Sequence, residues 1–141
     1  MELKLFYMGE LNGMTEADIA IADEFLSSRE YAIAGTIDPD SGVRLSAMNT
    51  LMGSKLNELI FATDSKSQKV KNLKGNPSCE LMFTDGNGQV QLTGTAEVFT
   101  DLETKKSVWQ DWMAGHFEGG VEGDMLCVIK FKTVGVRAML A

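Results

Sequence analysis

Asp85-Gly86-Asn87-Gly88, followed by Gln89-Val90-Gln91-Leu92-Thr93-Gly94-Thr95-Ala96-Glu97-Val98-Phe99, decides the fold. Asp-Gly and Asn-Gly steps favour the tight turns of β-hairpins, because glycine reaches positive φ without a steric cost. The residues that follow alternate. Val90, Leu92, Gly94, Ala96 and Val98 face one way, and Gln89, Gln91, Thr93, Thr95 and Glu97 the other. A period of two marks a strand with one face on a core.

Working outward, Ser78 to Thr84 supplies the other arm of this hairpin. Before it, Gly75-Asn76-Pro77 stops a short helix whose buried stripe is Val70 and Leu73. That helix opens in Asp64-Ser65-Lys66-Ser67-Gln68-Lys69, where Ser65 and Gln68 have capping-box spacing. Glu58 to Thr63 reads as a strand. Tyr31 to Ile37 and Val43 to Asn49 form a second hairpin around Asp38-Pro39-Asp40-Ser41-Gly42. In its second arm Val43, Leu45 and Ala47 share one face, and Arg44, Ser46 and Met48 the other. Thr15 caps a helix over 16–29, with Ile19, Ala22, Phe25 and Leu26 at helical spacing. Residues 1–14 show no period and read as an N-terminal extension.

Downstream, Asp101 to Met113 reads as a third helix and Gly115 to Gly123 as a glycine-rich loop. Met125 to Lys132 and Val134 to Leu140 read as two closing strands. With no linker or repeat, 1–141 is one domain. The fold class is α+β, mainly β: a six- or seven-stranded antiparallel barrel with three helices.

Composition narrows the function. A length of 141 residues, 44% hydrophobic and 23% charged, suffices for a core without staples. The net charge of −7 argues against general nucleic-acid binding but not against holding one phosphate in a local basic cluster. No apolar run reaches membrane-spanning length, and the start lacks a basic leader, so the expected location is cytoplasmic. Cys79 and Cys127 sit in separate apolar runs and read as reduced thiols. With His116 the only histidine, neither a Ser-His-Asp triad nor a multi-histidine metal site is expected.

Chemistry concentrates at the strand–helix junction of residues 61–74. A helix N-terminus presents free N–H groups and partial positive charge. Here Thr63, Ser65 and Ser67 add hydroxyls, and Lys66 and Lys69 add ammonium groups. These are the parts of a single-phosphate site, to which Arg44 can add a bidentate contact if the two elements are neighbours. A solvated lysine-rich helix with an ordinary serine cap is the other reading of the same residues. Gln89 and Gln91 carry amides able to read the N–C=O edge of a ring, or simply face solvent. Trp109, Trp112, His116 and Phe117 beside glycines can line a pocket for a planar substrate, or simply pack a core.

Phe61-Ala62-Thr63, Ser67-Gln68-Lys69-Val70, Asn76-Pro77 before a strand, and the run Gln89–Val98 occur in an order that resembles the pyridoxamine 5′-phosphate oxidase-like FMN-binding family, and its general-stress-protein branch in particular. The resemblance implies a split β-barrel working as a homodimer, with FMN in the cleft between subunits. Carried over by position, it implies Arg44 and Lys69 on the phosphate, and Ser67 and Thr63 on phosphate or ribityl oxygens. Ser46 and Met48 would pass near the ring, and Gln89 would approach the flavin from the fifth strand. Gln68, Ala47 and Asn49 stand where the family often carries arginine. The implied activity is an FMN-dependent oxidoreductase acting on a small-molecule substrate with a reductant. The alternatives are a non-catalytic flavin-binding stress-response protein, a relative binding deazaflavin or heme, and a barrel without cofactor. Pyridoxamine 5′-phosphate oxidation itself is not expected, because Lys132-Thr133-Val134-Gly135-Val136-Arg137 lacks the tryptophan-plus-arginine ending of those enzymes.

Overall fold

One strand of 15 residues, β7 (Leu126–Leu140), organises the molecule, which is described by a computed structural model over residues 4–140. Along one edge β7 pairs with β6 (Gln89–Phe99), itself joined to β5 (Ser78–Thr84) by the Asp85–Gly88 turn. The sheet continues through β2 (Tyr31–Asp38) to β3 (Gly42–Asn49), all pairs antiparallel. The other edge of β7 serves two strands in turn. Residues 126–132 pair with β4 (Glu58–Asp64), and residues 135–140 pair with β1 (Lys4–Glu10). An isolated bridge between Thr50, just past β3, and Phe61 of β4 is the point at which these two edges meet. Among the described residues the result is a mainly β, α+β split barrel of seven antiparallel strands and three α-helices.

Two expected strands, 125–132 and 134–140, are thus one. The register against β6 slips between Gly94, which faces Thr133, and Thr93, which faces Gly135. Val134 is the extra residue of this bulge. Before it Phe131 and Thr133 are buried; after it Val136 and Ala138 are, so the alternation changes phase. A strand that the sequence does not announce, β1, lies in the N-terminal extension. Its register against β7 slips between Leu5 and Tyr7, so Phe6 and Tyr7 both pack on the core, which erases the two-residue period. Residues 1–3 lie outside the described residues.

The first half of β7 is buried on both faces. Cys127, Ile129 and Phe131 join the barrel core with Phe61, Phe83, Leu81 and Leu92. Leu126 joins a second, smaller core with Leu51, Met113 and Phe117. The chain from 101 to 125 covers that second core. Its helix α3 (Leu102–Val108), capped by Asp101, ends earlier than the sequence suggests, since Trp109 is extended at φ −62°, ψ 134°. Asp111–Gly115 and Gly120–Glu122 are short 3-10 turns where a third long helix and an open glycine loop were expected. Helix α1 (Glu16–Ser27) is capped by Thr15 as expected and turns Ala22 and Leu26 inward. Helix α2 (Gln68–Gly75) follows β4 directly. Among the described residues no helix is long and apolar enough to cross a membrane.

The bulge has a steric precondition. A Cβ on Gly94 would stand 2.0 Å from the Lys132 carbonyl oxygen. Gly94→Ala is therefore expected to destabilise the fold by about 2 kcal/mol or more, read as a lowered urea midpoint. An unchanged midpoint would mean that the two backbones separate freely.

Candidate functional site

The turn between β4 and α2 is pinned from below. The Ser65 N–H donates to the Met125 carbonyl at 2.8 Å, and the Ser65 hydroxyl to the Asp124 carbonyl at 2.6 Å. Ser65 is thereby taken out of the capping role its spacing suggests, and Ser67 becomes the N-cap. Among the described residues the Ser67 hydroxyl makes no cap bond, and its oxygen is buried without a partner. A buried hydroxyl left unpaired is costly and calls for an explanation, such as strain, a functional role or a water or ion bound there.

Lys69 sits on the first turn of α2, with Nζ donating to Thr63 Oγ1 at 3.5 Å. Among the described residues it forms no ion pair. Burial pushes the Lys69 pKa below its ordinary value, and the nearby Cys127 pulls weakly the other way. Cys127 and Cys79 are free, buried thiols, each pushed up to about 11 by burial. Across the barrel mouth Arg44 pairs in register with Thr36 on β2, and its Nε lies 3.6 Å from Asp38 Oδ2. Arg44, Ser46 and Lys69 line one hollow of about 490 Å³ with Thr36, Val43, Leu45 and Gln68. Thr63 and Ser67 adjoin it through Lys69 and Gln68. Met48 is instead buried in the barrel core.

Edge strand β3 is the wall of this hollow. It pairs only with β2 along its length, leaving alternate backbone N–H and C=O groups on its other side unpaired by the sheet. Its Val43 and Leu45 also line an outer hollow of about 390 Å³ with Ile33, Ile37, Met82 and Gln91. This reverses the simple reading of β3. Its apolar trio faces outward, with Val43 69% and Leu45 72% exposed, while Met48 faces the core.

Gln89 lies elsewhere. Gly94, not Gln89, is in the row of Arg44, Thr36 and Cys79. Gln89 is five residues further along β6, about 17 Å away at the usual strand rise. Its amide donates to Met139 Sδ at 3.8 Å. Gln91 is the glutamine that reaches the outer hollow. The aromatic group also stands apart and shares no lining residue with the cationic hollow. Phe117 is buried in the second core with Trp109 against it, and Trp112 and His116 pack edge to face at 5.5 Å on the surface.

Two contributors escaped the sequence reading. Gln68 Nε2 donates to Asn72 Oδ1 at 2.9 Å, and Asn72 Nδ2 to Thr36 Oγ1 at 3.1 Å, a relay whose inner, buried bond ties α2 to β2. Asp38, read as part of a turn, holds Arg44. Its carboxyl stays below the usual range, chiefly through the Asp40 N–H, with Arg44 adding a smaller pull. The four-residue spacing of Gln68 and Asn72 was the available signal for the relay.

Against known proteins, the sequence pattern of the pyridoxamine 5′-phosphate oxidase family matches residues 20–139. The chain belongs to that family. Three solved structures share the fold. A Clostridium acetobutylicum protein related to general stress protein 26 of B. subtilis, of the pyridoxinephosphate oxidase family, superposes with a TM-score of 0.76 at 23% identity, over 85% of this chain and 86% of that one. General stress protein 26 from Bacillus anthracis gives 0.67 at 16% identity, over 82% and 88%. A NimC/NimA family protein from C. acetobutylicum gives 0.69 at 15%, over 86% and 85%. No curated protein matches the chain.

Lys69 carries an unpaired charge that burial disfavours. A lysine with lowered folded pKa costs stability while protonated, and the cost fades as pH rises from that pKa toward the ordinary 10.5. Ligand-free Lys69→Met is expected to melt above wild type at neutral pH, with the gap closing as the medium becomes alkaline. Identical melts at every pH would contradict this.

Proposed function

We propose that this chain is an FMN-binding flavoprotein, acting as a flavin-dependent oxidoreductase on a small molecule, with the flavin phosphate held between Arg44 and the start of α2. The observation that carries the reading is the buried, partnerless Ser67 hydroxyl beside an unpaired Lys69 at a helix N-terminus. A terminal phosphate supplies acceptors for that hydroxyl, for the free N–H groups of the first turn and for both cations. The residues present fit the group. Ser67, Lys69 and Arg44 would hold the phosphate, Thr63 and Ser46 the polyol chain, and the open side of β3 the polar edge of the ring.

A bound flavin supplies hydride transfer, and the protein supplies position and a dry surface. Here that means the backbone of β3 and the apolar residues around it. Burial by Leu45 and Val43 would shield a ring from water, and Gln91 can donate or accept without changing charge.

The dimer is part of the proposal. Val43, Leu45, Ile37 and Tyr31 are exposed on one sheet face, with Ile33 of β2 paired beside Met82 of β5 next to them. A second copy covering this face would bury the apolar surface and wall in the hollow, and would bring a second set of β6 glutamines toward it. Both cysteines being free and buried suits a reducing compartment such as the cytoplasm.

Titration with FMN, followed by quenching of flavin fluorescence, tests the reading. Saturable binding is expected, weakened by about 1.5–3 kcal/mol in Lys69→Ala, the usual size of a charge-assisted hydrogen bond. Undiminished affinity would remove Lys69 from the site. Light scattering is expected to give a dimer that Leu45→Glu converts to monomer, with loss of flavin affinity. A flavin-saturated monomer would refute the shared site.

A further inference from the structure

The cationic corner is assembled from two parts of the chain that meet only through folding. Arg44 and Ser46 come from the β2–β3 hairpin, and Ser67 and Lys69 from the start of α2. Thr36 pairs with Arg44 across the hairpin and lines the same hollow as Arg44, Gln68 and Lys69. Among the described residues, the one hydrogen bond between α2 and that hairpin runs from Asn72 Nδ2 to Thr36 Oγ1 at 3.1 Å. Both side chains are only 2% exposed. Asn72 Oδ1 accepts from Gln68 Nε2 at 2.9 Å, which leaves the amide nitrogen as the end that meets Thr36.

Val70 and Leu73 bury the same helix in the barrel core. Apolar packing of that kind is favourable but not directional, so it holds α2 down without fixing its roll and slide. A hydrogen bond does fix them, because it weakens steeply with distance and angle. Lys69 lies three residues before Asn72, next to it on the helix surface. Anchoring Asn72 on Thr36 therefore sets Lys69 and the first turn against Arg44. We propose that Asn72 is a positioning residue for the phosphate. Through Thr36 it sets the spacing between the two halves of the corner, and with it the preference for a phosphorylated over an unphosphorylated flavin. This rests on the flavin-phosphate reading above and adds the residue pair that gives the site its selectivity.

The test compares FMN with riboflavin, which has the same ring and polyol but no phosphate, by flavin fluorescence on the full chain. The deciding variant is Thr36→Val with Asn72→Leu. Replacing both partners by apolar groups of similar shape removes the bond without leaving either buried polar atom unpaired. This double variant is expected to melt near wild type and to bind riboflavin as wild type does, while FMN weakens about tenfold. Thr36→Val alone is expected to lose the same preference, and Thr36→Ser, which keeps the hydroxyl, to retain it. A folded double variant with the wild-type ratio of FMN to riboflavin affinity would overturn the proposal. So would both flavins weakening by one factor, the mark of a merely structural contact. Should the double variant not fold, Thr36→Val against Thr36→Ser decides, and equal ratios in the two overturn the proposal. Should riboflavin bind too weakly to titrate, undiminished FMN affinity in the folded double variant overturns it. Wild type binding both flavins equally would show that no phosphate is held here. Wild type binding neither would overturn the flavin reading itself, and this proposal with it.

Discussion

At Gly94 the backbone of β6 runs so close to the Lys132 carbonyl that no side chain fits between them, and much of the architecture follows. The close approach sits at the bulge centred on Val134. There β7 stops serving β4 and starts serving β1. Without the extra residue, one phase of alternation would run through the strand and one of its halves would present the wrong face to the core. With it, the first half is buried on both faces and the second on one. The first half also holds β4 in register, and β4 delivers the turn into α2. The geometry of the cationic hollow thus depends on a contact some distance from it.

The hollow itself follows from an unfinished sheet. A closed barrel would pair β3 on both edges, but here β3 and β4 meet only at the Thr50–Phe61 bridge. The gap leaves backbone polar groups open on β3, and the cationic side chains gather at its mouth. Arg44 comes from the edge strand and Lys69 from the helix that follows β4. Edge strands of this kind invite pairing or a ligand. The apolar outer side of the same strand adds a second demand for cover.

Most of the strands and helices were legible because alternation, proline and glycine turns and helix caps act over a few residues. The Asp85–Gly88 hairpin and the Thr15 cap are of this kind. Phase changes were not legible. The bulges at Phe6 and Val134 each shift the period, so one strand went unread and another was read as two. The Trp109–Met113 stretch failed for a related reason. Its apolar spacing suits a helix, but it is spent on covering the second core in 3-10 turns. At the site, Lys69, Ser67 and Thr63 stood out because they are close in sequence. The place of Arg44 depended on long-range packing, and that of Gln89 on strand register. Asp38 and Asn72 matter through contacts across the barrel that no local pattern announces.

Cys79 and Cys127 have a practical consequence. Thiolates, not thiols, react with disulfides, peroxides and alkylating agents. With both pKa values near 11 and both sulfurs enclosed, the native barrel offers almost no thiolate at neutral pH. Chemistry at these sulfurs must wait for the strands to part. The two cysteines flank separate structural joints, Cys79 beside β2 and Cys127 beside β4. Their labelling rates would therefore time the opening of each joint, a clock already written into the chain.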